Sequence, residues 1–505
     1  MKFLGFHIGA HDCNFTITDG QKIKYFKTER IKQEKHHGYP TAEAFSGFFK
    51  KINLDPSEYH GIACATTPPS KQENEQWPLP AFFDLRDFFE KKYYVKDYGE
   101  IAKRNMFGVN HHLCHKLSLW PIRKTSEHNK SIVLDGGGSW METTTAFYND
   151  KMVEKKYWSP FLGKPMKDND MLSFATALQY LGKKWGIEGH DMDIAGKMMS
   201  LQSFGNIDIR LYNEWKNLKY NELHHIFQNI PNELDLNWLR TAHFSTENIL
   251  LDFFKKHIKE NETFTYSGGI AQNIVVNTKL RKWNKNVIIP PHCGDEGLSL
   301  GCVEFLRLYF KQPEFDNSEF PFWQNDEVKE TPTKETIKKV AEELANGKIV
   351  GWCQGKGELG PIALGNRSIL MRPDIENGKD IINNRVKHRE PYRPFGCSVL
   401  LEDVNEYFVD GFESPYMLFT MPLKEPEKFK SISHVDNTSR PQTVKDGIFA
   451  ELLYEFKRLT GMSILLNTSL NINGKPIATP KVADTMNKEN MGLDVMCIGN
   501  NVKIF

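Results

Sequence analysis

Two histidines four residues apart, with carboxylates elsewhere in the chain, have the types and spacing best suited to metal chemistry. His111 and His115 lie in VNHHLCHKLSLW, a segment whose apolar residues follow a helical period. Side chains at i and i+4 share a helix face, so both imidazoles could bind one ion. Asp135 ends a predicted strand in VLDGGG, and Asp295 stands in a loop before a predicted helix. This donor set suits a divalent transition metal such as iron, manganese or zinc, although two histidines on one helix face are also common without a metal.

A glycine-rich turn is the second candidate. In SGGIAQNIVVNTKL, Gly268 and Gly269 follow an apolar segment and precede a predicted helix. Glycines at such a place let backbone amides approach an anion at a helix N-terminus, and Asn273 could reach the same site. Lys197, in DIAGKMMSLQSFG, could contact a phosphate. Both patterns also fit an ordinary strand-to-helix turn and a lysine beside core methionines.

The last third of the chain carries a dense basic cluster. NNRVKHREPYRPFG holds Lys387, Arg389 and Arg393 among two prolines. Arginine offers planar, bidentate donors, and interleaved prolines favour a fixed pocket for phosphate or carboxylate over a solvated face. The further polar candidates in this part of the chain are Arg367, Arg440, Ser469 and Asn471.

The elements that must position these residues include a repeated unit. Residues 3–28 read as strand, polar turn, strand, Asp19-Gly20 turn and strand, and residues 131–158 repeat this order with a turn at Asn149-Asp150. Two such three-stranded meanders, each with an acidic first loop, are typical of the actin/hexokinase architecture. Two unrelated hairpins would give the same local pattern, so the repeat alone leaves both interpretations open.

Length and composition limit the number of domains, the state of the cysteines and the classes of partner. The chain has 505 residues, a formal net charge of +1 and eight cysteines without a CxxC pair. This predicts two or three domains, reduced thiols, and no general attraction to nucleic acid or membranes. Without a cleavable leader pattern or a long apolar run, a cytoplasmic protein is predicted. A proline-rich acidic stretch predicts a domain over 1–315, a linker over 316–333 and a second domain over 334–505.

Ordered blocks along nearly the whole chain resemble the O-carbamoyltransferase family of nodulation-factor, cephamycin and tobramycin biosynthesis (the NodU/CmcH/TobZ type). The main matching blocks are GAHD (9–12), HHLCH (111–115), LDGGG (134–138), GKMMSLQSFG (196–205), SGGIAQN (267–273), GPIALGNRS (360–368), VKHREPYRPF (386–395) and LNTSLN (466–471).

The resemblance implies an α/β fold with a duplicated actin-like (ASKHA) N-terminal domain and an α+β YrdC-like C-terminal domain. The latter would make carbamoyl adenylate from carbamoyl phosphate and ATP, with Mg²⁺ as a further expected ion. The former, with Fe²⁺ as the expected metal, would pass the carbamoyl group to a hydroxyl of a sugar, an antibiotic or a modified nucleoside or nucleotide.

The resemblance also implies roles for matched positions. The implied metal ligands are His111, His115, Asp135 and Asp295. Lys387, Arg393 and Ser469 would hold carbamoyl phosphate, and His11 would stand beside the acceptor hydroxyl. By the same resemblance, Arg440 and Asn471 would line the carbamoyl phosphate site. The other predicted cofactor contacts are Asp12, Lys197, Gly268, Gly269, Asn273 and Arg367.

Three departures from the family pattern bear on the first step. Ile362 stands where the family usually has arginine, Lys356 where arginine is common, and Gln33 replaces another arginine. The loss at Ile362 removes a guanidinium from the expected phosphate site, so altered handling of carbamoyl phosphate is expected. The competing functions are a tRNA threonylcarbamoyl-transferase-like enzyme and a non-catalytic actin-fold nucleotide-binding regulator.

Overall fold

The computed structural model describes residues 1–9, 11–39, 47, 49–66, 95–97, 105–122, 130–137, 142–148, 151–158, 170–171, 173–472, 474–489 and 491–505. The chain divides into two units. The first contains Met1–Glu29 and His36–Phe320, and the second contains Arg30–Lys35 and Pro321–Phe505. The second unit thus takes a short segment from near the start of the chain.

A six-stranded mixed sheet opens the first unit. Its strands are β1 (Phe3–His7), β2 (Asn14–Thr18), β3 (Ile23–Lys27), β4 (Gly61–Thr66), β5 (Val95–Asp97) and β6 (Asn105–Asn110). Their order is β3-β2-β1-β4-β6-β5. The first three strands form an antiparallel meander, and β4 and β6 then run parallel to β1.

A second six-stranded sheet repeats this plan. Its strands are β7 (Lys130–Leu134), β8 (Glu142–Tyr148), β9 (Lys151–Trp158), β10 (Asp170–Met171), β11 (Phe264–Ser267) and β12 (Val287–Ile288), in the order β10-β9-β8-β7-β11-β12. Here β7, β8 and β9 form the meander, and β11 and β12 run parallel to β7. Both predicted meanders are therefore present, and the α/β class with mixed sheets is confirmed. The predicted Asn149-Asp150 turn lies outside the described residues.

Helices connect and cover these strands. They are α1 (Thr28–Lys32), α2 (His111–Leu117), α3 (Phe174–Lys184), α4 (Asp191–Leu201), α5 (Ile209–Trp215), α6 (Leu236–His257), α7 (Ile274–Trp283) and α8 (Leu298–Tyr309). The apolar helix α8 packs on β1, β2 and β4 and against α2. Its Gly301 permits that approach, because a β-carbon there would lie 2.1 Å from the carbonyl oxygen of Cys114.

The strands of the second unit are β13 (Glu327–Val328), β14 (Val350–Cys353), β15 (Gly355–Lys356), β16 (Arg367–Met371), β17 (Gly396–Leu400), β18 (Met421–Pro422), β19 (Thr438–Ser439), β20 (Pro441–Val444), β21 (Ile464–Ser469), β22 (Val495–Ile498) and β23 (Asn501–Ile504). Seven of them form a mixed sheet with the order β20-β17-β21-β16-β14-β22-β23, and β13-β15 and β18-β19 form two separate pairs. Its helices are α9 (Lys334–Ala345), α10 (Gly378–Ile382), α11 (Val404–Tyr407), α12 (Ile448–Thr460) and α13 (Pro480–Glu489).

The stretch predicted as a linker, 316–333, holds ordered structure in this fold. Trp323 within it is 2% exposed, and β13 pairs antiparallel with β15. Residues from Pro321 onward belong to the second unit. Of the helices that the structure describes, none is both long and apolar enough to cross a bilayer.

Candidate metal centre and anion pocket

Three elements of the first unit bring the four predicted metal-binding side chains together. His111 and His115 lie on α2, which starts directly after β6 and is capped by Asn110, whose side chain accepts a hydrogen bond from the amide of Leu113. Asp135 follows β7, and Asp295 begins the turn that leads into α8. The two imidazoles are 2% and 0% exposed. A pair at i and i+4 thus faces one carboxylate after a strand and one before a helix, inside the protein.

The distances match a site for one ion. The Nε2 atoms of His111 and His115 lie 3.1 Å apart, and they lie 2.8 and 3.0 Å from Oδ2 of Asp135. Oδ1 of Asp295 lies 3.3 and 3.5 Å from the same two nitrogens. The four donor atoms all lie within 4.8 Å of one another. Ligands about 2.1 Å from a shared ion have spacings of roughly this size, so the donor set fits a divalent metal.

The electrostatics of this cluster also favour a cation. Burial disfavours a charged imidazole, but Asp295 and Asp135 outweigh it and raise the pKa of His111 to about 10. Burial opposes charge on Asp135 too, yet its hydrogen bonds with both histidines hold its pKa well below the usual range. Two ionised carboxylates in a buried pocket therefore attract positive charge, from protons or from a metal.

The predicted turn at Ser267, Gly268 and Gly269 holds the carboxylate of Asp135 in place. Oδ1 of Asp135 accepts hydrogen bonds from the amides of Gly136 and Gly269, at 2.7 and 3.1 Å. Gly268 has a φ of +95°, and a β-carbon there would lie 2.1 Å from the carbonyl oxygen of Leu134. Glycine is needed because the turn runs against the end of β7. The structure thus brings Gly268 and Gly269 to the metal cluster.

His11 lies beside the cluster, with its side chain 31% exposed. Its Nδ1 is 3.2 Å from Oδ2 of Asp12 and 3.9 Å from Oδ2 of Asp295. Burial lowers its pKa, but Asp12 and Asp295 outweigh this and raise the pKa overall. His11 and Asp12 thus form an imidazole–carboxylate pair at the accessible edge of the metal cluster.

Asp12 also belongs to a second charged group, with Glu29 and His36. These three offer donor atoms within 4.8 Å of one another. The buried ammonium of Lys27, however, lies 3.5 Å from Asp12 and 2.9 Å from Glu29. Nδ1 of His36 is 3.1 Å from Asp12. Because Lys27 already supplies a cation here, we assign no metal to this group.

Two other predicted ligand residues of the first unit are engaged with the protein. Lys197 is 6% exposed, and its ammonium donates to the carbonyl oxygen of Glu188. The side-chain oxygen of Asn273 caps α7, and its amide donates to Nε2 of His243 at 3.0 Å. Both residues therefore hold turns around the site, and their predicted contacts with a nucleotide remain predictions.

In the second unit, three residues of the predicted anion site meet. The ammonium of Lys387 donates to the backbone oxygen of Ser469 at 2.8 Å and lies 3.4 Å from its hydroxyl. It also donates to the side-chain oxygen of Asn471. Burial, then the charges of Arg389, Arg393 and Lys35, lower the pKa of Lys387. An anion among these like charges would relieve their repulsion.

The arginines around this pocket differ in exposure. Arg393 is 30% exposed and lies 3.6 Å from Glu390, whereas Arg389 is buried enough for its pKa to fall to about 9. The Nε of Arg440 donates to the carbonyl oxygen of Met417. Arg393 is thus the most accessible guanidinium of this group.

Arg367, another predicted ligand residue, is engaged with the protein. Its side chain is 0% exposed, and its guanidinium donates to the backbone oxygens of Gln354, Gly355, Asn366 and Asp326. It starts β16, so its side chain points into the fold and fixes the loop before it. Arg367 therefore holds this loop in place, and its predicted contact with a ligand stays a prediction.

Sequence reasoning missed two histidines near the metal cluster. His7 ends β1, 3.6 Å from Asp295, and His36 bridges Asp12 and Asp193. Neither has a recognisable spacing to a partner. The repeat offered one signal for His7, because it ends the first strand of the first meander much as Asp135 follows the first strand of the second.

Two family models match the chain. The model described as carbamoyltransferase N-terminus matches residues 82–303, and the model described as carbamoyltransferase C-terminus matches residues 341–503.

Curated relatives agree with these matches. Nodulation protein NolNO of Sinorhizobium fredii is 27% identical over 533 residues, which cover 93% of this chain and 75% of that protein. A 3'-hydroxymethylcephem-O-carbamoyltransferase of Amycolatopsis lactamdurans is 30% identical over 258 residues, or 49% of each chain. Among solved structures, the activator of the 2-hydroxyisocaproyl-CoA dehydratase from Clostridium difficile covers 62% of this chain and 97% of that chain, at 11% identity and a TM-score of 0.36. So distant a structural likeness carries no argument, and the sequence relatives are the informative comparison.

Proposed function

The chain belongs to the carbamoyltransferase family, and from this premise we propose that it is an ATP-dependent O-carbamoyltransferase. The observation that carries the proposal is the four-donor cluster of the first unit with His11 at its accessible edge. The relatives whose names state an activity act on a hydroxymethylcephem. For this chain the acceptor class is a hydroxyl of a sugar, an antibiotic or a modified nucleoside.

The second unit carries the activation step in this proposal, in a YrdC-like role. Carbamoyl phosphate is a small dianion, and the buried ammonium of Lys387, with Arg393 nearby, supplies compact positive charge for it. With ATP and water, the donor gives carbamoyl adenylate, phosphate and pyrophosphate. Because ATP is the proposed co-substrate, we propose that the activity is cytoplasmic.

The first unit carries the transfer step. With Nδ1–H of His11 directed to Asp12, Nε2 keeps a lone pair and can take the proton of the acceptor hydroxyl. The hydroxyl oxygen then bonds to the carbamoyl carbon and AMP leaves. A divalent ion, with Fe²⁺ expected, would be held by His111, His115, Asp135 and Asp295 and would supply Lewis-acid polarisation of the adenylate.

Pyrophosphate release tests the activation step. Metal-loaded full-length protein should release pyrophosphate from ATP only when carbamoyl phosphate is present, and Lys387→Met should abolish this. Lys457→Met is the matched control, because that lysine pairs with Asp403 away from the pocket. Wild-type protein that releases no pyrophosphate would refute the proposed activation.

Mass spectrometry identifies the acceptor. A panel of sugars, aminoglycosides, cephems and nucleosides is incubated with ATP, carbamoyl phosphate and enzyme, and each compound is examined for a carbamoyl group in place of a hydrogen. A product should form with at least one hydroxyl compound and disappear in the His11→Ala variant. Undiminished product formation by that variant would remove His11 from the transfer step.

A further inference from the structure

His7 ends β1 with its imidazole turned toward the metal cluster. The side chain is 3% exposed, and its Nε2 lies 3.6 Å from Oδ2 of Asp295. Its ring meets that of His111 edge-on, with the centroids 6.0 Å apart and the planes at 84°. The loop after β1 covers it, since a β-carbon on Gly9 would lie 3.5 Å from Nε2. A third imidazole thus lies beside two of the four predicted ligand residues, Asp295 and His111.

Among the residues that the structure describes, the ring of His7 makes one polar contact. Nδ1 of His7 is buried and has no hydrogen-bond partner among the residues that the structure describes. Within the same described residues, the polar contact of the ring is the one from its Nε2 to Oδ2 of Asp295, at 3.6 Å. Buried polar atoms nearly always have a partner, so a histidine placed here calls for a reason beyond packing.

The two oxygens of the Asp295 carboxylate face different histidines. Its Oδ1 lies 3.3 and 3.5 Å from the Nε2 atoms of His111 and His115. Its Oδ2 lies 3.6 Å from His7 and 3.9 Å from His11. His11 is partly exposed and has a nearer carboxylate in Asp12, at 3.2 Å. His7 is therefore the buried imidazole that faces Oδ2, at 3.6 Å, which is longer than a hydrogen bond.

We propose that His7 is a positioning residue of the metal centre, which holds Oδ2 of Asp295 and keeps Oδ1 turned to His111 and His115. This inference rests on the metal centre of the proposed function. Carboxylate ligands are commonly oriented by a second partner on the free oxygen, and losing that partner typically weakens metal affinity 10- to 100-fold. Ligation through one oxygen also leaves a coordination position for a reacting group.

Metal affinity tests the proposal without any turnover. Full-length protein is stripped of metal and titrated with Co²⁺ and Zn²⁺ against a competing chelator, with the Co²⁺ absorption spectrum recorded at saturation. His7→Phe keeps the ring volume without nitrogen, and should raise the dissociation constant about 10- to 100-fold. His7→Gln places an amide N–H near Nε2, and should restore most of the affinity. His257→Phe, at a buried histidine that contacts Tyr148 and Glu154, should bind as the wild type does.

The outcomes separate this inference from the metal centre itself. Wild-type affinity in His7→Phe would overturn the proposal, and so would a Co²⁺ spectrum showing that this variant has lost a nitrogen ligand. A wild-type protein that binds neither ion would instead disprove the metal centre. If His7→Phe does not fold, His7→Asn replaces it in the test. The asparagine amide is too short to reach Oδ2 of Asp295, so this variant should weaken metal binding similarly.

Discussion

At the residue scale, the metal centre depends on α2 presenting two imidazoles on one face. His111→Ala or His115→Ala removes one of four donors, so metal content after dialysis should fall from near one ion per chain to near none. Inductively coupled plasma mass spectrometry measures it. His112→Gln is the matched control, since His112 is equally buried on the same helix but faces Thr145 at 2.7 Å. Unchanged metal content in the two alanine variants would disprove the site.

His36 predicts a pH dependence of stability. Burial lowers its pKa, but Asp12 and Asp193 outweigh burial and raise the pKa from 6.5 to about 9. A raised folded-state pKa stabilises the protein fully below pH 6.5, and this contribution is lost as the pH rises through 9. The difference corresponds to about 3 kcal/mol by linkage.

His36→Asn tests this directly, because asparagine tolerates the φ of +53° found at this position. The stability difference between wild type and variant, from urea unfolding at a series of pH values, should shrink between pH 6.5 and 9. A difference that stays constant with pH would show that His36 is not charged in the folded protein.

A substitution at Ile362 should change the KM of the activation step for carbamoyl phosphate. It is half-buried in a loop whose next two carbonyl oxygens, those of Ala363 and Leu364, accept from Asn467 and Gln442. Because the loop is fixed, Ile362→Arg should add a guanidinium at a defined place and lower the KM for carbamoyl phosphate. Steady-state pyrophosphate release measures it, with Ile362→Gln as an uncharged control of similar reach. An unchanged or higher KM would show that this position does not contact the donor.

At the element scale, the sequence predicted the repeated meanders because hairpin turns and alternating strands are local signals. It also placed His111 and His115 on one helix face, since i and i+4 spacing is fixed by helix geometry. The side-chain partners of Lys197 and Asn273 could not be predicted in the same way. Lys197 donates to the turn before its own helix and Asn273 donates to His243 of α6, and neither contact follows from a residue spacing.

The packing of α8 against α2 predicts that Gly301 controls both stability and metal binding. In Gly301→Ala, the added β-carbon meets the carbonyl oxygen of Cys114 at 2.1 Å, so the helices must move apart. Overpacking of this kind costs about 1–3 kcal/mol, and moving α8 displaces Asp295 at its start. Lower unfolding free energy and weaker metal binding are both expected, measured by urea unfolding and chelator competition.

Gly196→Ala is the control for that helix substitution. Gly196 is exposed within α4, and a β-carbon there would meet nothing within 4 Å. Alanine should therefore raise stability by about 0.5–1 kcal/mol and leave metal affinity unchanged. Equal effects at both glycines would show that the α2–α8 contact is not responsible.

At the scale of the whole molecule, the sequence predicts domains that follow one another along the chain, whereas the two units of the structure are not divided in that way. Composition and prolines signalled a change near residue 316, whereas the second unit begins at Pro321 and also takes Arg30–Lys35. No local sequence signal assigns those six residues to the second unit, because they directly follow the strands of the first meander. Their assignment depends on contacts with residues hundreds of positions away, which no periodicity records.

Arg30 belongs to this segment and holds the loop at the expected carbamoyl phosphate site. Arg30 is 1% exposed, and its guanidinium donates to the carbonyl oxygen of Gly360 at 3.1 Å. Gly360 precedes Ile362 in the loop at the expected phosphate site. Arg30→Met keeps most of the volume but loses this bond, which is worth about 1 kcal/mol, or roughly a fivefold rise in the KM for carbamoyl phosphate.

The readout for Arg30 must separate the donor site from the metal centre. Pyrophosphate release should show the raised KM, while metal content should match the wild type, because the metal ligands all lie in the first unit. Arg372→Met is the matched control: that arginine lies in the second unit and pairs with Asp374, so its loss should leave the KM unchanged. An Arg30→Met enzyme with an unchanged KM would mean that the segment from the start of the chain belongs to the second unit without supporting its chemistry.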